Sequence, residues 1–373
     1  MKRLLLASLI MVTGLGSSSL NALDKIGKVV AVVPKIIGDS QTIIDGSKNL
    51  PTELKNKVAV AKALQSKLKA ETDKEKQNAL ALEIAYNMYD ATGMLANFAQ
   101  AVGGMVENFG SIIDVTGPAD VANKAKAFAS EITTPLKEYL EITSNVTDEI
   151  IAMGFDPEQG MSPEDAKKIK EARAAEKAKQ AKEMAKVSAD ITQGTTPASQ
   201  GTSANYTTAA SKLLTMVPHI ITLVNTGNKL VGNIKEKVAH LKIKQINFKK
   251  AKLKEDDAVA KAILLSMNQD LLSIGSILCK FVTDAVAVIK DLSGVAAAIN
   301  PKSPTVNKAK VLSANLSSQV STVSGIITNI KDLMAKNGAD DKVGLKVEAP
   351  EAEQADDQAQ ENEEHIGLAE LGA

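Results

Sequence analysis

The sequence predicts an all-α protein: two tandem-duplicated, elongated helical bundles of about four helices each, joined by a charged helix and a flexible linker. Three observations predict it. First, the chain repeats under a shift of 184 residues: Lys28–Ile37 (KVVAVVPKII) matches Lys212–Ile221 (KLLTMVPHII), and Asn123–Lys126 matches Asn307–Lys310. A shift of 183 pairs Met94, Leu95 and Phe98 with Ile277, Leu278 and Phe281, so one single-residue insertion reconciles the anchors into a repeated unit. Second, the chain has no Trp, four Tyr and six Phe and lacks short alternating segments, which argues against β structure. Third, long stretches rich in Ala, Leu, Lys and Glu, without Gly or Pro, favour long helices.

At the N-terminus, Lys2 and Arg3 precede an apolar run, Leu4–Val12, too short to cross a bilayer, and then small residues ending in Leu20-Asn21-Ala22. Residues 1–22 are the pattern of a cleaved signal peptide, with an uncleaved anchor as the alternative, so the chain is expected outside the cytoplasm, secreted or periplasmic.

The first repeat, residues 23–154, divides into helices at about 24–47, 52–70, 72–115 and from Pro118 to Gly154. The second, residues 207–338, divides at about 207–233, 235–254, 256–298 and from Pro304 to Gly338. Pro34 and Pro218 occupy the same repeat position and are expected to bend a helix or delay its start. Thr72 and Asp256 are expected N-caps, and Gly154 and Gly338 expected stops. Nothing between Ala70 and Lys76 forbids one long rod from the second and third helices. Leu241–Lys250 partly alternates like an edge strand, but its counterpart Lys57–Lys69 is plainly helical, so both are assigned as helices.

Residues 155–193 form an almost pure Ala, Lys and Glu segment that starts at Ser162-Pro163-Glu164-Asp165, a helix with only a thin apolar stripe. Residues 194–206 (GTTPASQGTSAN and its flank) have the composition of a flexible linker. Residues 339–373 form an acidic tail with the composition of disorder.

The formal net charge of zero hides a polarity. Asp340–Glu370 carries eleven acids and two lysines, which leaves Leu23–Ala339 at +7. Cys279 is the one cysteine and pairs with Ala96 in the repeat, as expected for a small residue at a tight helix contact; a buried free thiol and an intermolecular disulfide are its two readings.

Catalytic patterns are missing. There is no P-loop, GxGxxG, HExxH or GxSxG, and His219, His240 and His365 are the only histidines. Glu236 and His240 are four residues apart, but di-metal bundles need Glu-x-x-His spacing twice over, and the repeat partners are Thr52 and Asn56. No enzymatic activity, metal or other cofactor is therefore expected.

Two features stand out. Ala91–Val106 runs 16 residues without a charge and carries Met94, Leu95, Phe98, Val102, Met105 and Val106. A helix apolar nearly all round is either the core of its bundle or membrane-active. The other is a basic segment in which Lys235, Lys237, Lys242, Lys244, Lys249, Lys250, Lys252 and Lys254 face Glu236 alone among acids. It is either a solvated face over a packed stripe or a contact for anionic surfaces. It lacks the arginine and aromatic interleaving of single-strand binders, so no specific nucleic-acid binding is expected. The sequence thus predicts an exported, non-catalytic helical protein whose duplicated surfaces meet a protein or an anionic membrane, with oligomers allowed. The alternative is a membrane-active, pore-forming-like protein that uses the third helix of each repeat. The acidic tail is expected either to keep the chain soluble or to shield the lysine segment.

Overall fold

A computed structural model describes residues 19–152, Lys182, 203–337, 339–340 and 342–345. The described residues form eight helices: α1 (Ser19–Gly46), α2 (Leu50–Ala70), α3 (Lys74–Thr116), α4 (Ala119–Ala152), α5 (Ser203–Thr215), α6 (Val217–Leu253), α7 (Asp257–Ile299) and α8 (Pro304–Lys336). No strand occurs among the described residues. The fold is all-α, and the alternation in Leu241–Lys250 lies on a helix.

Helices α3 and α7 are the axis of the molecule. Each has 43 residues, about 65 Å at the α-helical rise. More than half the residues of each are buried, with Phe98 and Phe281 fully so. Their starts are fixed by side chains. Asp73 accepts hydrogen bonds from the amides of Glu75 (2.8 Å) and Lys76 (3.1 Å), and Asp256 accepts one from Val259 (3.0 Å). The expected cap at Thr72 is thus one residue early. The cap at Asp73 and the extended Glu71 also rule out one continuous rod from α2 into α3.

The two long helices lie side by side and run the same way. Lys261 pairs with Glu75 at 2.7 Å, Tyr89 donates to Asn268, and Gly275 packs on Thr92, so both numbers rise together along the contact. Around this pair, α4 packs on α3 and α6, while α8 packs on α7 and α2. α1 and α5 also touch each other. Apolar residues from Val29 to Met334 form a single core cluster. The packing therefore does not show two bundles with a core each. Helices of residues 23–154 and 207–338 share one interior.

The second half departs from the expected division. In place of helices at 207–233 and 235–254, the break falls at Met216, and α6 runs unbroken through residue 234. Pro218 explains the new break. It lacks an amide hydrogen and is best placed in a first helical turn, so α6 begins there, bent 52° from α5. The missing break has an equally local cause. In the first half Pro51 starts α2, but the matching position holds Lys235, which breaks nothing. Pro34 sits inside α1 without ending it.

The ends also differ. Ser203–Tyr206, expected as linker, belongs to α5, where Asn205 donates to the Ile299 carbonyl at 3.2 Å. Residues 339–340 and 342–345, expected as the start of a structureless tail, pack on the fold. The Ala339 amide donates to the Met334 carbonyl (2.9 Å), Asn247 donates to the Gly344 carbonyl (2.7 Å), and Val343 rests against the core. Most of the expected signal peptide, the charged segment 155–193 apart from Lys182, the rest of the linker, Gly154, Gly338 and the acids from 346 onward lie outside the described residues.

Candidate functional site

α6 is a helix with one dry seam. Val217, Ile220, Val224, Gly227, Val231, Ile234, Val238 and Leu241 recur at alternating steps of three and four, then Phe248 and Ala251 continue the line. Lys244 occupies the seam between Leu241 and Phe248 and is fully buried. Its ammonium donates to Asp270 of α7 at 2.6 Å, and Lys237, mostly buried, donates to the same carboxylate at 2.8 Å. Lys244 is therefore not a surface residue, which corrects its place among the expected anion-binding lysines. Lys237 is half withdrawn for the same reason.

The other six lysines, Lys235, Lys242, Lys249, Lys250, Lys252 and Lys254, are exposed. Lys242 pairs with Glu138 of α4 at 3.0 Å and Lys252 with Asp257 at 3.3 Å. Exposed pairs of this kind are weak, so these lysines still contribute positive field. In the last turn Leu253 is 85 % exposed, and Ile246 points outward as well. The exposed basic side of α6 is thus a lysine ridge with two apolar residues on it, ending in a lysine-rich tip.

The expected membrane-active residues have another environment. Leu95, Phe98, Val102, Met105 and Val106 are fully buried in α3, and Met94 packs against the core. Gly110 lets α3 approach α4, where an added Cβ would sit 3.0 Å from the Ala122 carbonyl oxygen and 3.1 Å from the Lys126 amide nitrogen. Among the described residues α7 alone is a single helix long and apolar enough to cross a membrane, with mean hydropathy 1.8 over its most apolar stretch, which is 61 % buried in the fold.

The interior also holds a polar layer that the sequence patterns did not reveal. Asp90 of α3 accepts from Lys57 of α2 at 2.6 Å, and the neighbouring Tyr89 donates to Asn268 of α7. Asp270 lies half a turn further along α7 and takes both lysines of α6. On the other side Thr92 and Tyr139 of α4 share a hydrogen bond of 2.7 Å. These pairs tie α2, α3, α4, α6 and α7 together at one level. A buried polar group is tolerated only when partnered, so each pair fixes the axial position of its helices. The visible signal was the isolated acid in each apolar helix, Asp90 and Asp270.

Asp39 is a second buried carboxylate, on α1, accepting from Asn108 of α3 at 2.5 Å. Burial raises its pKa to about 7 against the opposing pulls of the Asn108 bond and of Lys35. The fold thus binds a proton here that the unfolded chain has released, so the contribution of Asp39 to stability is full below about pH 4 and is lost as pH rises through 7. Asp39→Asn is expected to flatten this slope and to exceed the parent chain in stability at pH 8 by at most about 4 kcal/mol. Urea unfolding of both chains between pH 4 and pH 8 checks it; parallel pH profiles would contradict it.

Cys279 is a buried free thiol with its pKa pushed up to about 12 by burial, so it is neither a reactive nucleophile nor placed for an intermolecular disulfide. His219 pairs with Asp291 at 2.9 Å on the surface. No group of three or more His, Cys, Asp or Glu suited to a metal occurs among the described residues. An open groove of about 530 Å³ between α1, α2 and α8 is lined by Asp45, Lys48, Pro51, Lys308, Val311 and Asn315, but Asp45 and Lys308 already pair across it at 2.8 Å. No family model matches the chain, and neither the curated proteins nor the solved structures include a significant match to it.

Proposed function

We propose that the chain is an exported, non-catalytic helical scaffold whose two halves derive from one duplicated unit and which presents the lysine ridge of α6 to an acidic macromolecular surface. The single observation that carries the reading is the ridge itself: exposed lysines held on one straight helix whose opposite face is locked into the core. The backbone that carries the row is already ordered, so binding an anionic partner costs lysine rotamer freedom but no folding of the chain. The duplication is supported by two 43-residue helices whose capping aspartates lie 183 residues apart, and by Gly275 resting on Thr92, its counterpart at that same shift. Contact between equivalent residues is what a two-fold arrangement of two copies produces at its axis.

Binding to phosphatidylserine vesicles and to immobilised polyglutamate at low salt tests the reading. Each lysine near an anionic surface is worth about 1 kcal/mol, so replacing Lys235, Lys249 and Lys250 by Ala is expected to weaken binding roughly 100-fold. Failure of the parent chain to bind either material would reject the ridge as the functional surface.

One observation favours the membrane-active alternative, the apolarity of α7. For α7 to enter a bilayer, Asp270 would have to leave Lys237 and Lys244 or carry them with it. The scaffold reading expects no release of dye from anionic vesicles at any protein concentration that saturates binding. Release would favour the alternative.

A further inference from the structure

The outward side of α6 is built in sevens. Lys235, Ala239, Lys242, Ile246, Lys249 and Leu253 follow one another at alternating steps of four and three, and all six are exposed. At about 100° per residue they share one stripe, roughly 27 Å long. It lies opposite the dry seam: Ile246 is two residues from both Lys244 and Phe248, and Leu253 is two from Ala251, about half a turn in each case. Ile246 is 57 % exposed and Leu253 85 %, so both apolar side chains stand in water between lysines.

The first half has the same lysines without the apolar residues. On α2, Lys55, Ala59, Lys62, Ser66 and Lys69 repeat the spacing 180 residues earlier, and all five are exposed. Ion pairs to the long helices fix this register. Lys57 donates to Asp90 at 2.6 Å and Lys237 to Asp270 at 2.8 Å, both pairs being 33 residues apart and related by the same shift of 180. Ile246 thus stands where α2 has Ser66, and Leu253 stands where the chain has Asp73, the cap of α3. Positive charge is common to both helices. What α6 adds is two branched apolar side chains set among its lysines.

Two kinds of acidic surface fit a lysine stripe, and the alternation decides between them. A partner helix packed along α6 would bury Lys235, Lys242 and Lys249 at every second position of the seam, where apolar residues belong. A bilayer surface takes the two residue types at different depths. Apolar side chains enter the boundary of headgroups and acyl chains, while lysine stems carry their ammonium groups back up to the lipid phosphates. Two acids beside the stripe are already engaged, Glu138 of α4 with Lys242 and Asp257 with Lys252, and Glu236 lies about a quarter turn off it. We propose that α6 lies flat on an anionic lipid bilayer, with Ile246 and Leu253 entering the headgroup boundary and Lys235, Lys242 and Lys249 meeting the lipid anions. This rests on the lysine ridge as the functional surface and names its partner. The seam of α6 stays in the core, so the contact is made without any helix crossing the bilayer.

Because the chain has no Trp, Ile246→Trp supplies a single reporter. On phosphatidylserine vesicles its emission is expected to move to the blue and to be quenched by brominated acyl chains. Val311→Trp, at a site 59 % exposed on α8, is expected to do neither. In a second measurement, Ile246→Ser with Leu253→Ser gives α6 a polar stripe like that of α2. The pair is expected to weaken vesicle binding about 30-fold, and binding to immobilised polyglutamate by less than about twofold. These are surface changes, and unchanged helical circular dichroism is the check that the fold is kept. A serine pair that binds vesicles as the parent does, or a reporter that stays unquenched on bound vesicles, overturns the insertion while the ridge stands. Equal weakening on vesicles and polyglutamate overturns it in favour of an acidic protein. A parent chain that binds neither material rejects the ridge itself, and this inference with it.

Discussion

Replacing Asp270 by Ala is expected to destabilise the protein by about 3–5 kcal/mol, more than any other single charge removal in the chain. The reason is the position of Lys244. Its ammonium is wholly buried on the dry seam of α6, and Asp270, itself 1 % exposed, neutralises it at 2.6 Å. Without the carboxylate the buried ammonium loses the short ion pair that α7 supplies, and that loss is not recovered from water. Lys237, about a fifth exposed, can turn outward and adds little to the penalty. The comparison that isolates the mechanism is the double change Asp270→Leu with Lys244→Met, which removes both buried charges and fills their place with similar volume. It is expected to lie close to the parent chain or up to about 4 kcal/mol above it. Guanidinium unfolding of the three proteins at pH 7 gives the values. A single variant as stable as the parent would mean that Lys244 is satisfied without Asp270. A double variant as unstable as the single would mean that the cost comes from packing and not from loss of the buried ion pair.

Lys244 also shows where sequence reasoning stops. The helical class, the long third helices and five of the eight starts, to within two residues, come from periodicity, caps and prolines, all local signals that need only near neighbours. Burial of Phe98 is one of the two readings that its uncharged stretch, Ala91–Val106, allows. A lysine among seven others, however, looks like surface, because the acid that draws it inward lies 26 residues away on another helix. The gap it fills between Leu241 and Phe248 was visible, but only a partner in space turns that gap into a buried pair. The break at Met216 was hidden for a related reason. The first half starts a helix at Pro51 and passes through Pro34, while the second passes through Lys235 and starts a helix at Pro218, so projecting one half onto the other put the boundary in the wrong place. The seating of residues 339–340 and 342–345 depends on Asn247, Gln269 and Ile263, none of them near in sequence, and composition alone assigned those residues to the tail. The lysine tip survived because its members lie on consecutive turns of one helix.

The shared core makes the second large prediction, that Phe281→Ala weakens the whole molecule and not one half of it. Phe281 of α7 packs against Phe128 of α4 with ring centres 5.6 Å apart, and Gly227 of α6 closes the site from a third side. An added Cβ on Gly227 would lie 2.5 Å from the Phe128 ring and 3.1 Å from Phe281, so the two rings fill the space that the glycine leaves. Both rings are fully buried and belong to different halves of the sequence. Removing one is expected to cost about 3–5 kcal/mol in lost contact and cavity. Gly227→Val attacks the same joint by overfilling it. It is expected to cost about 1–3 kcal/mol, since the rings have no empty space to move into. The diagnostic result is the shape of the thermal transition. With one interior, calorimetry should show a single peak for the parent chain, and either variant should move that entire peak to lower temperature. Two separable bundles would instead give two peaks, with Phe281→Ala shifting only the one that belongs to the second half, and that outcome would break the link between the halves on which the proposed two-fold arrangement rests.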